Sequence, residues 1–398
     1  MKIGVVSAHY MPEVGYQEVH LARAFARTGH TVKVFTSTAA VKLGGSLGKQ
    51  KYTAGLFTDE KLGFEIQRLP ALSYKSKAFS NKLTRSVKEF GPDLLVILGV
   101  AKVFPAPLLN KHFHDTVKMV SLYGDAKEYF DRDTLAQKAK TFMHESGFKL
   151  IKKPLYLKAV KYCHKIILNI PETDEFFRAI LPDKLKPVYS SRKLLLNLGF
   201  DPDEYYFSES DRQAKRKELG ISENETVFIT STRINKRKNL EQVISLIAKL
   251  NAEHKKVRYI LVGFMGDAYE KELKAFIEKH QAGSFICFPF LGAADIRKLY
   301  CAADAGIWLK AAISIQEAMG TGLPVILEDK PSVNHLITDG HSGWFYRKHS
   351  FEETIRKAAH ALQTGITDRK KLAGENASRL SYDSITKKII SSLHMDNQ

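Results

Sequence analysis

The first residues of the chain change hydrophobic period twice. Lys2–Ser7 (KIGVVS) is a short apolar run of strand length. Val19–Thr28 carries Val19, Ala22, Phe25 and Ala26 at helical spacing up to Gly29, and Thr31–Thr36 (TVKVFT) reads as a strand again. Strand, loop, helix and strand in that order predict the opening unit of a parallel sheet covered by helices. The rhythm continues in Leu94–Leu98, Val117–Leu122, Lys165–Asn169 and Val188–Leu196, all expected as strands.

After the turn-rich stretch Asn197–Asp201 (NLGFD) the pattern restarts. Val227–Ser231, Arg258–Val262, Ser284–Phe288, Ala305–Trp308 and Pro324–Leu327 read as strands, separated by helices expected at Leu240–Leu250, Tyr269–Lys279 and Ala293–Ala302. The expectation is an α/β protein of two Rossmann-like, doubly wound domains, 1–198 and 199–375, facing each other across a cleft. In such sheets ligands bind outside the carboxyl ends of the strands.

Length supports the division, because 398 residues exceed the roughly 250–300 that one hydrophobic core serves. The three cysteines, Cys163, Cys287 and Cys301, are odd in number and lack metal-ligand spacing, which argues against a disulfide scaffold or zinc site and for a reducing cytoplasm. No apolar run reaches the roughly 18 residues of a membrane span, and the start of the chain lacks the pattern of a signal peptide.

Charge changes the picture more. Residues 1–200 hold 32 Lys and Arg against 17 Asp and Glu, while the remainder holds 29 against 26, so the first half carries +15 of the net +18. A half so basic is expected to face an anionic surface. A membrane is favoured over nucleic acid, because neither a basic aromatic platform nor a nucleic-acid-binding motif is present. Two segments could supply the contact as interfacial amphipathic helices. Lys75–Phe90 aligns Phe79, Leu83, Val87 and Phe90 among Lys82, Arg85 and Lys88, and Lys138–Lys165 interleaves eight lysines with Phe142, Phe148, Leu150, Leu155 and Tyr156. Each could equally be a helix packed on its own sheet.

Two motifs carry chemistry. In STRINKRKNL (Ser231–Leu240), Arg233 and Lys238 lie five positions apart in a loop that leaves a strand and enters a helix. They form either a solvated basic loop or a clamp for one phosphate group, with Arg as a planar fork and Lys as a point charge. In ISIQEAMGTGLPVILED (Ile313–Asp329), Ser314 and Glu317 have the spacing of a capping box. The alternative is an anion site at the helix start, with Glu317 holding a sugar hydroxyl beside it.

Taken as an ordered set, these motifs resemble the retaining glycosyltransferases of family 4, which have the GT-B fold. Arg233 and Lys238, Val262-Gly263, the Ala302-Ala303-Asp304 triplet and EAMGTGLPVI (Glu317–Ile326) match in the second half. MPEVGYQEVHLARAFARTGHTVKVFTS (Met11–Ser37) and NLGFDPDEYY (Asn197–Tyr206) match in the first half and the link. The resemblance implies that a C-terminal helix, 376–398, returns to the first domain. It implies a nucleotide-sugar co-substrate, UDP-sugar before GDP-sugar, and no other cofactor. Arg233 and Lys238 would bind the diphosphate, Glu317 the ribose, and the amides of Ala312–Ser314, Ile313 included, the β-phosphate. Gly15, Tyr16, Gly263, Phe290 and Leu291 would complete the donor site. Tyr16 replaces the second glycine of a pair.

Tyr123 replaces a histidine of the family, and with Asp125 and Glu128 it would meet the acceptor. Asp125 would serve as a local base, or else cap the following helix. No metal is expected, since two cations and a helix start can neutralise the leaving diphosphate. One departure is plain: where the family has a second glutamate, eight positions before Glu317, this chain has Leu309 in a shortened loop, with Lys310 the charged group nearest the gap. The expected activity is retaining sugar transfer to a glycan or lipid-linked acceptor in cell-surface glycan or glycolipid assembly, in the cytoplasm and peripherally at the inner membrane surface. An inactive transferase-like scaffold and a nucleotide-sugar epimerase are the alternatives.

Overall fold

The structure is a computed structural model of the chain. It describes residues 1–39, 41–42, 49–50, 52–74, 77–124, 148–253, 256–280, 282–365 and 368–394. Asp125 and Glu128 lie outside the described residues, as does Phe142.

Two compact units are present. The first holds the described residues up to 198 together with 385–394, and the second holds 199–384. The first unit is built on an eight-stranded sheet in the order Lys193–Leu195, Lys165–Leu168, Lys118–Tyr123, Leu94–Leu98, Lys2–Val6, Thr31–Ser37, Glu65–Leu69 and Gly55–Thr58. All neighbours are parallel except the outermost pair, where Gly55 opposes Arg68 antiparallel. The second unit has a six-stranded, wholly parallel sheet: Phe285–Pro289, Val257–Phe264, Thr226–Ser231, Ala305–Trp308, Val325–Glu328 and Gly343–Tyr346.

The central strands are covered on both faces, which is why they read as continuous apolar runs rather than alternating ones. Leu94, Leu95, Val96 and Ile97 are fully buried, as are Val227, Phe228 and Ile229. Both strand orders reverse direction beside a central strand, so each unit offers a ligand crevice at its carboxyl edge.

The structure departs from the sequence expectation in several places. Val188–Leu196 is not one strand. Lys186–Arg192 is helical and only Lys193–Leu195 pairs, because Pro187 sits in the first helical turn, where its fixed φ and missing N–H suit a helix start. The strands Gly55–Thr58, Glu65–Leu69 and Gly343–Tyr346 were not expected. The amphipathic face proposed for Lys75–Phe90 is turned inward: Leu83 and Val87 are fully buried in the first unit's core, while Arg85 pairs along the exposed side with Glu89 at 2.7 Å. Likewise Leu155, Tyr156, Ala159 and Val160 of the helix Lys153–Tyr162 are buried. No described helix is long and apolar enough to cross a membrane.

The glycine pair of the GTGLP turn has a packing reason. Gly322 has φ +66°, and a Cβ there would stand 2.0 Å from the Arg369 carbonyl oxygen, so only glycine lets the turn lie against the helix Arg369–Leu380.

Candidate active site

The second unit gathers its chemistry at the carboxyl ends of its strands. The strand Thr226–Ser231 ends in a loop whose short turn, Lys236–Lys238, is capped by the Asn235 side chain accepting from the Arg237 amide at 3.1 Å. Asn239 then takes a left-handed conformation, φ +51°, which sharpens entry into the helix Leu240–Ala252. This geometry sorts the basic residues of the loop. Lys236 turns toward the helix Ala268–Glu278, pairing with its Glu272 at 3.1 Å. Lys238 turns the other way and donates to the Ala311 carbonyl at 3.2 Å.

Lys238 is half-buried and has Lys310 for a neighbour; among the described residues no carboxylate stands within salt-bridge distance of either. Burial first, and then the Lys310 charge, hold the Lys238 ammonium below its usual range. Such a cation lacks an anion. Arg233 is more exposed and is held loosely by Asp267 at 3.8 Å. Gly263 explains how this loop is supported. Its φ is +124°, and a Cβ would fall 2.0 Å from the Thr232 carbonyl oxygen and 3.6 Å from the Arg233 nitrogen. The strand Val257–Phe264 can therefore run directly beneath the loop bearing Arg233.

The helix Ser314–Gly320 lies beside that loop, and here the capping-box expectation fails. Ser314 is already inside the helix, with Ile313 as a right-handed N-cap of φ −60° and no side-chain cap. The Ser314 hydroxyl instead donates to the Ser231 carbonyl at 2.6 Å, an oxygen that also accepts from Trp308 Nε1 at 2.9 Å. Ser314 thus ties the helix start to the end of the central strand, fixing the Ala312–Ser314 amides relative to the Lys238 loop. With its serine committed elsewhere, the reciprocal box does not form.

Glu317, one turn on, faces two tyrosines. Burial, and after it the Glu317 charge, raise the phenols of Tyr205 and Tyr300 well above their usual range, and Tyr205 is hydrogen-bonded to Glu317. Tyr300 also shares a 2.5 Å hydrogen bond with the Ser231 hydroxyl. Ser231, Tyr205, Tyr300 and Trp308 are the site residues that sequence reasoning missed. Their signal was available only as proximity: Tyr205 lies in the link segment and Tyr300 next to the Ala302-Ala303-Asp304 triplet.

The remaining expected donor residues fall on the same edge. Phe290 is exposed and its amide donates to the Phe264 carbonyl at 3.0 Å, while Leu291 is half-buried against the core. Leu309, standing where the resemblance would put a second glutamate, is 7% exposed and belongs to the core; Lys310 is exposed.

In the first unit Gly15 has φ +67° in the loop before the helix Gln17–Arg27, and Tyr16 is half-exposed at its start. Gln17 and Asn169 exchange side-chain hydrogen bonds at 3.2 and 3.0 Å, tying this loop to the end of the strand Lys165–Leu168. Tyr123 is placed differently from the expectation of an acceptor contact. It is 3% exposed and packs edge-on against Phe177, ring centroids 4.9 Å apart, so its ring serves the aromatic core rather than a surface.

Two Rossmann-like units, one carrying Lys238 beside a helix start and a tyrosine-bound glutamate, define a GT-B fold. The chain matches, over residues 211–379, the family described as Glycosyl transferases group 1. It is similar to the alpha-monoglucosyldiacylglycerol synthase of Acholeplasma laidlawii, with 22% identity over 384 residues, covering 91% of this chain and 88% of that protein. Among solved structures, sucrose-phosphate synthase of Thermosynechococcus elongatus superposes with a TM-score of 0.71 at 14% identity, covering 99% of this chain and 98% of that one. HepE of Anabaena in complex with UDP-glucose gives 0.68 at 17% identity, covering 99% and 100%.

Proposed function

We propose that this glycosyltransferase moves a sugar from a UDP-sugar to the hydroxyl of a lipid-linked acceptor, with retention and without a metal, at the cytoplasmic face of a membrane. The observation that carries the donor half is Lys238: a half-buried ammonium beside Lys310, with no carboxylate within reach among the described residues. A diphosphate supplies the missing charge. Arg233 adds a planar fork from the exposed side, and the helix-start amides of Ala312–Ser314 add oriented dipoles. UDP-glucose in the similar HepE structure supports a nucleotide-sugar donor, and the glycolipid named for the relative from Acholeplasma laidlawii supports a lipid acceptor.

The chemistry follows from where charge develops. The bond between the anomeric carbon and the β-phosphate oxygen breaks, its electron pair going to the diphosphate, where Lys238 and Arg233 neutralise it. The acceptor hydroxyl attacks from the same face and passes its proton to the departing phosphate oxygen, so the anomeric configuration is kept. These cations supply the charge that a divalent ion would otherwise bring, and transfer is therefore expected to continue in excess EDTA. Asp125 and Glu128 remain proposed acceptor partners that hold the attacking hydroxyl, with Asp125 the alternative proton acceptor to the phosphate oxygen.

Glu317 is assigned to the ribose hydroxyls, with Tyr205 fixing its carboxylate. Glu317→Gln should weaken UDP binding by about tenfold, a loss of roughly 1.4 kcal/mol for one hydrogen bond to a charged group. The melting temperature should change little. Calorimetric titration with UDP tests this, and unchanged affinity would refute the ribose assignment.

A further inference from the structure

We propose that the first unit docks on an anionic lipid surface through two neighbouring apolar tips, the hairpin Leu72–Phe79 and the turn Phe148–Lys152, rather than through an amphipathic helix. The inference rests on the lipid-acceptor reading for its purpose but not for its geometry.

Large apolar side chains that a folded unit leaves in water need a reason when they cluster. Leu72 is 80% exposed and Leu150 78%, with Tyr74 at 70%, Phe79 at 46% and Ile151 at 40%. The strands Leu72–Tyr74 and Lys77–Phe79 pair antiparallel, Leu72 opposite Phe79 and Tyr74 opposite Lys77, so Leu72, Tyr74 and Phe79 sit on one hairpin. Its second strand and the turn Phe148–Lys152 both pack against Val100–Lys102, so the two tips share that short turn as a neighbour.

Charge then says what covers them. Residues 66–88 contain no Asp or Glu and carry Arg68, Lys75, Lys77, Lys82, Arg85 and Lys88, of which Arg85 pairs with Glu89; residues 146–171 likewise contain none and carry Lys149, Lys152 and Lys153 beside the exposed leucine and isoleucine. Lys102, between the tips, is held below its usual range by burial and then by Lys152, with Glu18 opposing, so two lysines meet at the seam. Apolar tips set among predominantly basic residues match an anionic bilayer, where acyl chains receive the leucines and phosphates receive the lysines within a Debye length of about 8 Å. The helix Leu83–Phe90 cannot take this part, since Leu83 and Val87 are consumed by the core.

The test is co-sedimentation of the full chain with vesicles of phosphatidylcholine containing phosphatidylglycerol, and with phosphatidylcholine alone, using wild type and the double variant Leu72→Glu/Leu150→Glu. Both positions are too exposed for the change to disturb folding, which the melting temperature and UDP affinity verify. Wild type should partition onto the anionic vesicles at low salt, weakly onto neutral ones, and the double variant should lose at least about tenfold in partition. Wild type left in the supernatant, equal binding to neutral vesicles, or a double variant that pellets like wild type overturns the proposal. So does a concentration-dependent dimer that the double variant abolishes without any vesicle binding by wild type, which would make the tips an interface between two copies. Transfer to a short-chain acceptor dispersed in detergent separates the two readings: the double variant should keep wild-type rates there, and a wild type inactive on every such acceptor would count against the lipid-acceptor reading alone.

Discussion

On the proposed function, Lys238→Ala should lower turnover by about a hundredfold, because it removes a half-buried cation from the charge that would develop on the leaving diphosphate. Removal of a single preorganised donor costs roughly 2.7–4 kcal/mol where that donor faces transition-state charge. Arg233 is more exposed and is already drawn toward Asp267, so Arg233→Ala should cost less, about tenfold. Neither change should lower the melting temperature. Lys238 makes one hydrogen bond to a backbone carbonyl and sits near another cation, so its loss relieves a repulsion rather than opening a core. Single-turnover rates at saturating donor, compared with UDP affinities, check this. Near-normal turnover for Lys238→Ala would remove the diphosphate clamp.

Asp304→Ala should be the most destabilising single change in the second unit, at about 3–5 kcal/mol. Asp304 accepts from Arg212 at 2.5 Å, from Arg216 at 3.2 Å and from the Val227 amide at 2.7 Å. The same guanidinium groups, joined by Arg369, donate to the carbonyls of Tyr300, Cys301, Ala302 and Ala303, where the helix Ala293–Ala302 ends. Cations belong at that pole of a helix, but three crowded together need the carboxylate. Burial, and next the neighbouring Arg212, already hold Arg369 below the usual guanidinium range. Deleting the carboxylate leaves that repulsion uncompensated and orphans the amide that starts the central strand. Asp304→Asn keeps part of the hydrogen bonding and should lose about half as much. Urea midpoints of both variants test the order, and an Asp304→Ala protein as stable as wild type would contradict it.

How far the sequence could be read follows from what each residue's role depends on. The buried parallel strands were legible because burial on both faces leaves an apolar run of fixed length, as in Leu94–Leu98 and Thr226–Ser231. The strand Glu65–Leu69 was not, because its EIQRL sequence mixes polar positions near a sheet edge, where Arg68 reaches back to the Tyr10 carbonyl at 2.7 Å. Arg233 and Lys238 could be proposed from spacing and position in the chain, but the sorting of Lys236 from Lys238 depends on the Asn235 cap and the left-handed Asn239. Ser314 shows the opposite hazard. Its spacing to Glu317 has a local explanation that is correct for many helices, and the hydroxyl nevertheless goes to Ser231, 83 positions away. The apolar spacing of Leu83 and Val87 was equally ambiguous, since a core face and a membrane face share one period. What separated them was the full burial of Leu83 and Val87 in the first unit's core, which no periodicity encodes.

On the proposed function, retaining transfer from a UDP-sugar to a lipid acceptor is driven by the protein's own cations. Its most direct measurement is proton NMR of the glycolipid formed from a panel of UDP-sugars, UDP-glucose first, and dispersed diacylglycerol or monoglycosyl-diacylglycerol, in excess EDTA. The expected result is a glycolipid whose new linkage has the α-configuration of the donor, formed at the same rate with and without EDTA. Absence of glycolipid from every donor, a β-linked product, or a rate abolished by EDTA and restored by a divalent ion would contradict it.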